Sequence, residues 1–129
     1  MPVIKQQKQT LKSEINTTAL EAFFNICTLW QLKDKEQMIL FGTRTESTFY
    51  NYKKNKKGIL HKDTLERISY IVGIYKALQI LFPDEKQSDG WIKKSNKAFN
   101  GKSALDVMLG GNVVDLAEIR NYLDAQRGW

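Results

Sequence analysis

Cysteine, histidine and proline are scarce in this chain, and each scarcity removes a class of explanation. One cysteine, Cys27, stands among 129 residues, so no internal disulfide can form. It falls on an apolar helical stripe, which gives it a packing role. One histidine, His61, accompanies it, and one Cys with one His cannot make a Cys/His zinc site. A Ser-His-Asp triad would have to rest on His61, which sits in a basic turn before Asp63. Catalytic residues, metal ligands and cofactors are therefore not expected. Proline occurs twice, and no apolar run approaches the roughly 18 residues that a membrane span needs. The start, Met1 to Lys12, is polar and rich in Lys and Gln. It has no apolar core of the signal-peptide kind, and a cytoplasmic location follows as the expectation.

What is present is apolar material and positive charge. Hydrophobic residues make up 42% of the chain and aromatic residues 11%, enough to fold. The formal net charge is +6, and it is unevenly placed. Between Gly42 and Lys62 stand Arg44, Lys53, Lys54, Lys56, Lys57 and Lys62, against the single acid Glu46. A charge run is often only a solvated face. Here it coincides with a second feature. Residues 34 to 57 read as a short capped helix, a tight turn at Gly42 and a second short helix capped by Thr45, about 46 to 56. Two short helices joined by a Gly-containing turn match the helix-turn-helix pattern, and a basic second helix is what a major-groove reader needs.

The faces of that second helix follow from a turn of about 100° per residue. Phe49 and Tyr52 share one side, which should pack inward. Ser47, Tyr50, Asn51 and Lys54 fall on the other. Asn can bind adenine in a bidentate way, and Lys can reach guanine or phosphate. With the flanking Arg44, Thr45, Lys53 and Lys57, these are the candidate DNA-binding residues. Four neutralised phosphates per protomer would give a salt slope of about −3.6. A symmetric dimer on an inverted repeat should space its half-sites by about 34 Å.

The rest of the chain reads as all-α. Residues 1 to 17 show little periodicity and are expected to form a mobile arm. Thr18 to Glu21 has capping-box spacing and opens a helix of about 18 to 31, with Leu20, Phe23, Phe24, Cys27 and Trp30 on its stripe. Asp34 caps the next. Asp63 to Glu66 should cap a long fourth helix carrying Leu65, Ile68, Val72, Tyr75, Leu78 and Leu81, which Pro83 stops. Asp84 to Gly90 is polar and reads as a linker. Ser103 to Asp106 caps a short helix closed by Gly110 and Gly111, and a last helix covers about 114 to 126. This divides the chain into an arm at 1–17, a helix-turn-helix domain at 18–82 and a C-terminal domain at 83–129. Gly101-Lys102-Ser103 looks like the end of a phosphate-binding loop, but position 96 is Asn where that loop needs Gly. The terminal Arg127 and Trp129 are residue types enriched at interface hot spots, and two readings stand for them: docking back on their own domain, or entry into a partner's pocket.

Several segments taken together carry a family resemblance. "MILFGTRTESTFYNYKK" (Met38 to Lys54) resembles the helix-turn-helix of Xre-type antitoxins. "LERISYIVGIYKALQILF" (Leu65 to Phe82) is similar to their linking helix. "WIKKSNKAFNGKSALDVMLGG" with "LAEIRNYLDAQRGW" resembles the toxin-binding domain of MbcA/ParS/Xre antitoxins. Ala104 stands where those proteins are expected to have Pro, and Phe49 and Tyr52 where they often have Tyr and Trp. The resemblance implies a bacterial antitoxin that holds a neighbouring RES-domain, NAD-consuming toxin inactive and represses its own operon. It implies that the C-terminal end lies at the toxin's active-site entrance. That gives Leu123, Asp124, Arg127, Gly128 and Trp129 a blocking role, and leaves NAD to the toxin. A stand-alone dimeric repressor, whose C-terminal half only dimerises, is the alternative.

Overall fold

Helix-forming residues without an apolar stripe carry the first element further than its pattern shows. A computed structural model describes the backbone of residues 2–128 and the side chains of residues 6–128. Its helices are α1 (Pro2–Leu29), α2 (Asp34–Phe41), α3 (Glu46–Asn55), α4 (Lys62–Leu81), α5 (Glu85–Gly90), α6 (Ala104–Met108) and α7 (Val113–Gln126). Single 3-10 turns at Trp91–Lys93 and Lys97–Phe99 lie between α5 and α6. The all-α expectation holds. The segment read as a mobile arm is helical from Pro2 and continuous with the rest of α1. Its Lys, Gln, Glu and Leu residues are good helix formers, and Pro2 stands at the first helical position, where its missing N–H costs nothing. Thr18 lies inside this helix and caps nothing.

The end of α1 is a Schellman motif closed by a residue other than glycine. Gln31 takes φ 55°. Its N–H donates to the Thr28 carbonyl, and the Leu32 N–H donates to that of Cys27, both at 3.0 Å. The reversal places α2 back against α1. The α2 cap falls one residue earlier than the spacing suggested: Lys33 is the N-cap, and its N–H donates to Glu36 Oε1 at 2.8 Å. Asp34 is thereby left in the first turn, with consequences described below. Gly42 ends α2 at φ 86°, as expected.

Four phenylalanines bind the first three helices. Phe23 and Phe24 of α1, Phe41 of α2 and Phe49 of α3 stand with ring centroids 5.1 to 6.0 Å apart. Phe24 stacks on Phe41 and the other pairs meet edge to face, and such contacts add to the burial of large apolar surface. Cys27 belongs to the same core, and burial pushes its thiol up to about 12. That is the packing role expected of it.

Helix α4 is central and packs against α1, α2, α5 and α7. Being covered by several helices, it buries more than one stripe: Ile68, Ile71, Ile74, Ala77 and Leu78 are all inside. Its N-cap is His61, and Asp63 sits within the helix. The segment read as a linker is α5, packed on α4. Asp84 caps it by accepting from the Lys86 N–H at 2.9 Å, and Ser88 is buried. A second aromatic group, Trp91, Phe99 and Tyr122, joins the 3-10 turns to α7. Ser103 and Asp106 cap α6 reciprocally, and Gly111 follows it at φ 86°.

One buried charge crosses between the two halves. Arg67, 9% exposed, donates to Asp63 Oδ2 at 3.0 Å, to the Ile39 carbonyl at 3.3 Å and to the Gly111 carbonyl at 2.8 Å. It ties the end of α2 and the α6–α7 turn to α4. A Cβ on Gly42 would lie 2.7 Å from Arg67 Nε, so this glycine supplies room as well as a positive φ. Arg67→Met keeps most of the side-chain volume but leaves two carbonyls without their donor. A loss of about 2–3 kcal/mol is expected in chemical denaturation.

Candidate functional site

The turn between α2 and α3 spans residues 42–45, and it sets α3 across the face of α1 and α2. Only Phe49 of α3 is buried. Tyr52 is half-buried, and its hydroxyl donates to the Ile59 carbonyl at 2.7 Å, which fixes the loop after the helix. The inward face is therefore the one expected. Ser47, Tyr50, Asn51 and Lys54 are exposed on the other side, with Arg44 and Thr45 in the turn and Lys57 beyond the helix. Thr45 occupies the N-cap position. Its hydroxyl meets the Thr48 hydroxyl at 2.7 Å rather than a backbone N–H.

The candidates differ in how they are engaged. Lys53 lies toward the packed side, with its ammonium 5.8 Å from the centre of the Phe49 ring and 2.8 Å from Asp34 Oδ1. Tyr50 donates its hydroxyl to Asp34 Oδ2 at 3.0 Å. The Lys53 ammonium, and after it the Tyr50 hydroxyl, hold the Asp34 carboxyl below the usual carboxylate range, while that carboxylate raises the Tyr50 phenol. Asn51 Oδ1 accepts from Asn55 Nδ2 at 2.6 Å. Lys56 donates to the Lys53 carbonyl at 2.9 Å and lies over the Phe24 ring. Arg44, Lys54 and Lys57 are exposed and pair with no carboxylate among the described residues. Asp34 was not foreseen as part of this surface, because 19 residues separate it from Lys53.

On the expectation that α3 meets DNA, this placement separates two kinds of contact. Lys54→Ala should weaken binding to every DNA sequence and flatten the salt slope by about 0.9 per protomer. Asn51→Ala should instead relax base preference, by about 1–3 kcal/mol at one position. Binding titrations on matched and mutated duplexes read both. An unchanged sequence preference in Asn51→Ala would reject the face assignment.

At the other end of the chain the five residues named from the resemblance are not equivalent. Leu123 is 1% exposed and belongs to the core with Leu116 and Ile119, because it continues their helical spacing on α7. It is thus withdrawn from the surface, and anchors the helix rather than meeting a partner. Asp124 is half-buried and accepts from Arg120 Nε at 3.0 Å. The Arg120 guanidinium lies over the bare backbone of Gly73, where a Cβ would meet its Nη1. Arg127 ends α7, with Nη1 3.9 Å from Asp124 Oδ1. It lines a cleft of about 370 Å³ with Lys76, Gly73 and Arg120. Gly128 is exposed at φ 84°. Trp129 lies outside the described residues. No helix of the described chain is long and apolar enough to cross a membrane.

Comparison with known proteins assigns both ends. Residues 11–73 match the family described as an antitoxin Xre-like helix-turn-helix domain. Residues 77–128 match the antitoxin Xre/MbcA/ParS C-terminal toxin-binding domain. The two matches meet within α4. The chain is also 51% identical over 109 residues to the uncharacterized protein y4oB of Sinorhizobium fredii (strain NBRC 101917 / NGR234), covering 84% of each chain.

Proposed function

The chain belongs to the Xre/MbcA/ParS antitoxin family, and from that premise we propose that it neutralises a RES-type, NAD-consuming toxin while repressing its own operon. The observation that carries this reading is the pairing of the two matched domains in one chain, at 11–73 and 77–128. A DNA-binding unit alone would describe a repressor. A toxin-binding unit joined to it describes a protein whose occupancy of DNA can report on its toxin.

The division of labour follows the geometry. The exposed side of α3, with Arg44 and Lys57 flanking it, meets operator DNA. A homodimer brings two such helices to an inverted repeat, with half-sites about 34 Å apart. With Lys53 held by Asp34, the phosphate contacts fall to Arg44, Lys54 and Lys57, and the expected salt slope becomes about −2.7 per protomer. The end of α7 delivers Asp124, Arg127 and Gly128 to the toxin's active-site entrance, and Trp129 is the next residue in sequence. An enzyme that binds NAD must stack aromatic rings, and an indole can compete there by stacking and bulk, while a guanidinium can pair with a carboxylate at the entrance. The chain itself needs no cofactor for this, and the work takes place in the bacterial cytoplasm.

Growth measurements test the proposal. Expressed alone, the product of the neighbouring reading frame should arrest growth and deplete cellular NAD. Co-expression with this chain should restore both. A neighbour that arrests growth without touching NAD would leave an antitoxin of a different toxin class. A harmless neighbour would remove the antitoxin function.

A further inference from the structure

We propose that Asp34 restrains the DNA affinity of α3, by occupying a lysine and a tyrosine that would otherwise go to phosphates. The inference rests on the reading of α3 as the DNA-contacting helix. Asp34 stands in the first turn of α2 and reaches across to α3. Its two oxygens take separate partners: Oδ1 accepts from the Lys53 ammonium at 2.8 Å, and Oδ2 from the Tyr50 hydroxyl at 3.0 Å. A phosphate offers the same thing to the same donors, namely a pair of anionic oxygens. The carboxylate side chain is half exposed and that of Lys53 about a third, so the contact lies where DNA would arrive rather than deep in the core. It also sets a negative charge beside a surface that must approach a polyanion.

The effect on recognition has a definite sign. Phosphate contacts raise affinity for all sequences alike, whereas base contacts raise it for one. Holding Lys53 and Tyr50 on Asp34 removes sequence-independent affinity and leaves the base-facing Ser47 and Asn51 untouched. Asp34 thereby sets the strength of DNA binding without touching a base, and leaves the preference between sequences to Ser47 and Asn51. The core of α3 does not depend on it, because Phe49 supplies the buried contact.

The test compares the wild-type chain with Asp34→Asn, Asp34→Ala, Lys53→Gln and the double variant Asp34→Ala/Lys53→Gln. Binding is titrated against salt on two duplexes, one from upstream of the chain's own reading frame and one of scrambled sequence. Circular dichroism melts confirm that each variant is folded. Asp34→Ala should steepen the slope from about −2.7 to about −3.6 per protomer, as one more phosphate is neutralised. Affinity at 0.1 M salt should rise roughly five- to tenfold per protomer on both duplexes. Asp34→Asn, which keeps the shape and loses the charge, should show the same change. Adding Lys53→Gln should return the slope to about −2.7. An Asp34→Ala slope that is unchanged or shallower, with the wild type binding DNA, would overturn the proposal alone. A steeper slope that survives Lys53→Gln would overturn it too, since Lys53 would not be the released group. If neither the wild type nor any variant binds either duplex, the DNA reading of α3 fails and takes this proposal with it.

Discussion

Deleting Gln126 to Trp129 is expected to abolish neutralisation of the toxin while DNA binding survives. The deletion removes Arg127 and Trp129, two of the three residue types enriched at interface hot spots, where each truncation commonly costs about 2 kcal/mol or more. Losing both would weaken the toxin complex by about a thousandfold. The cut leaves the anchors of α7 in place: Leu116, Ile119 and Leu123 all precede it, as does the Arg120–Asp124 pair. It also removes the last residue of α7 and the Arg127–Asp124 pair, so the melting midpoint should fall slightly while the chain stays folded. Growth rescue and the dissociation constant of the complex read the first effect, and operator titration reads the second. A stand-alone repressor would also keep its DNA binding but would have no toxin phenotype to lose. Full rescue by the shortened chain would place the blocking contact elsewhere on the C-terminal half.

The second large effect is expected at Phe49. It is the one buried side chain of α3, and its ring lies 5.7 Å from Phe24 and 6.0 Å from Phe41. Phe49→Ala should cost about 3–5 kcal/mol, a large share of the stability of an ordinary domain. The damage should begin locally. A helix of 10 residues is marginal by itself in water, and without Phe49 it keeps only the half-buried Tyr52 against Phe41 and Lys56 over Phe24. Amide hydrogen exchange should accelerate in α3 before it does in α4 or α7, and DNA binding should fall with it. Phe49→Leu, which refills much of the space, should cost clearly less. Equal protection of α3 in the wild type and Phe49→Ala would show that something other than this ring anchors the helix.

Legibility in the sequence tracked how local each determinant is. The end of α2 at Gly42, the facing of α3 through Phe49 and Tyr52, and the capping box at Ser103 and Asp106 are set within a few residues, and all could be read directly. The first half of α1 was missed for a different reason. Its side chains favour a helix but bury little, Leu11 and Ile15 being more than half exposed, so no apolar stripe announced it. The polar stretch that became α5 was misread for the same reason: its structure comes from a cap at Asp84 and from packing on α4. Arg67 was invisible as a clamp because its two backbone acceptors lie 28 and 44 residues away. The Asp34 contacts were hidden likewise. Among the candidate interface residues, the exposed set on α3 was legible from helical geometry. Leu123 came from resemblance, and the stripe it shares with Leu116 and Ile119 is what withdraws it from the surface.

The central claim is that this chain joins a DNA-contacting unit to a toxin-binding one, and co-purification tests it most directly. The chain is co-expressed with the product of the adjacent reading frame, with an affinity tag on the neighbour alone, and the eluate is examined for both. The account predicts a stable complex that carries this chain in stoichiometric amount and that loses it when Gln126 to Trp129 are removed. A neighbour that elutes alone and is harmless when expressed by itself would contradict the account.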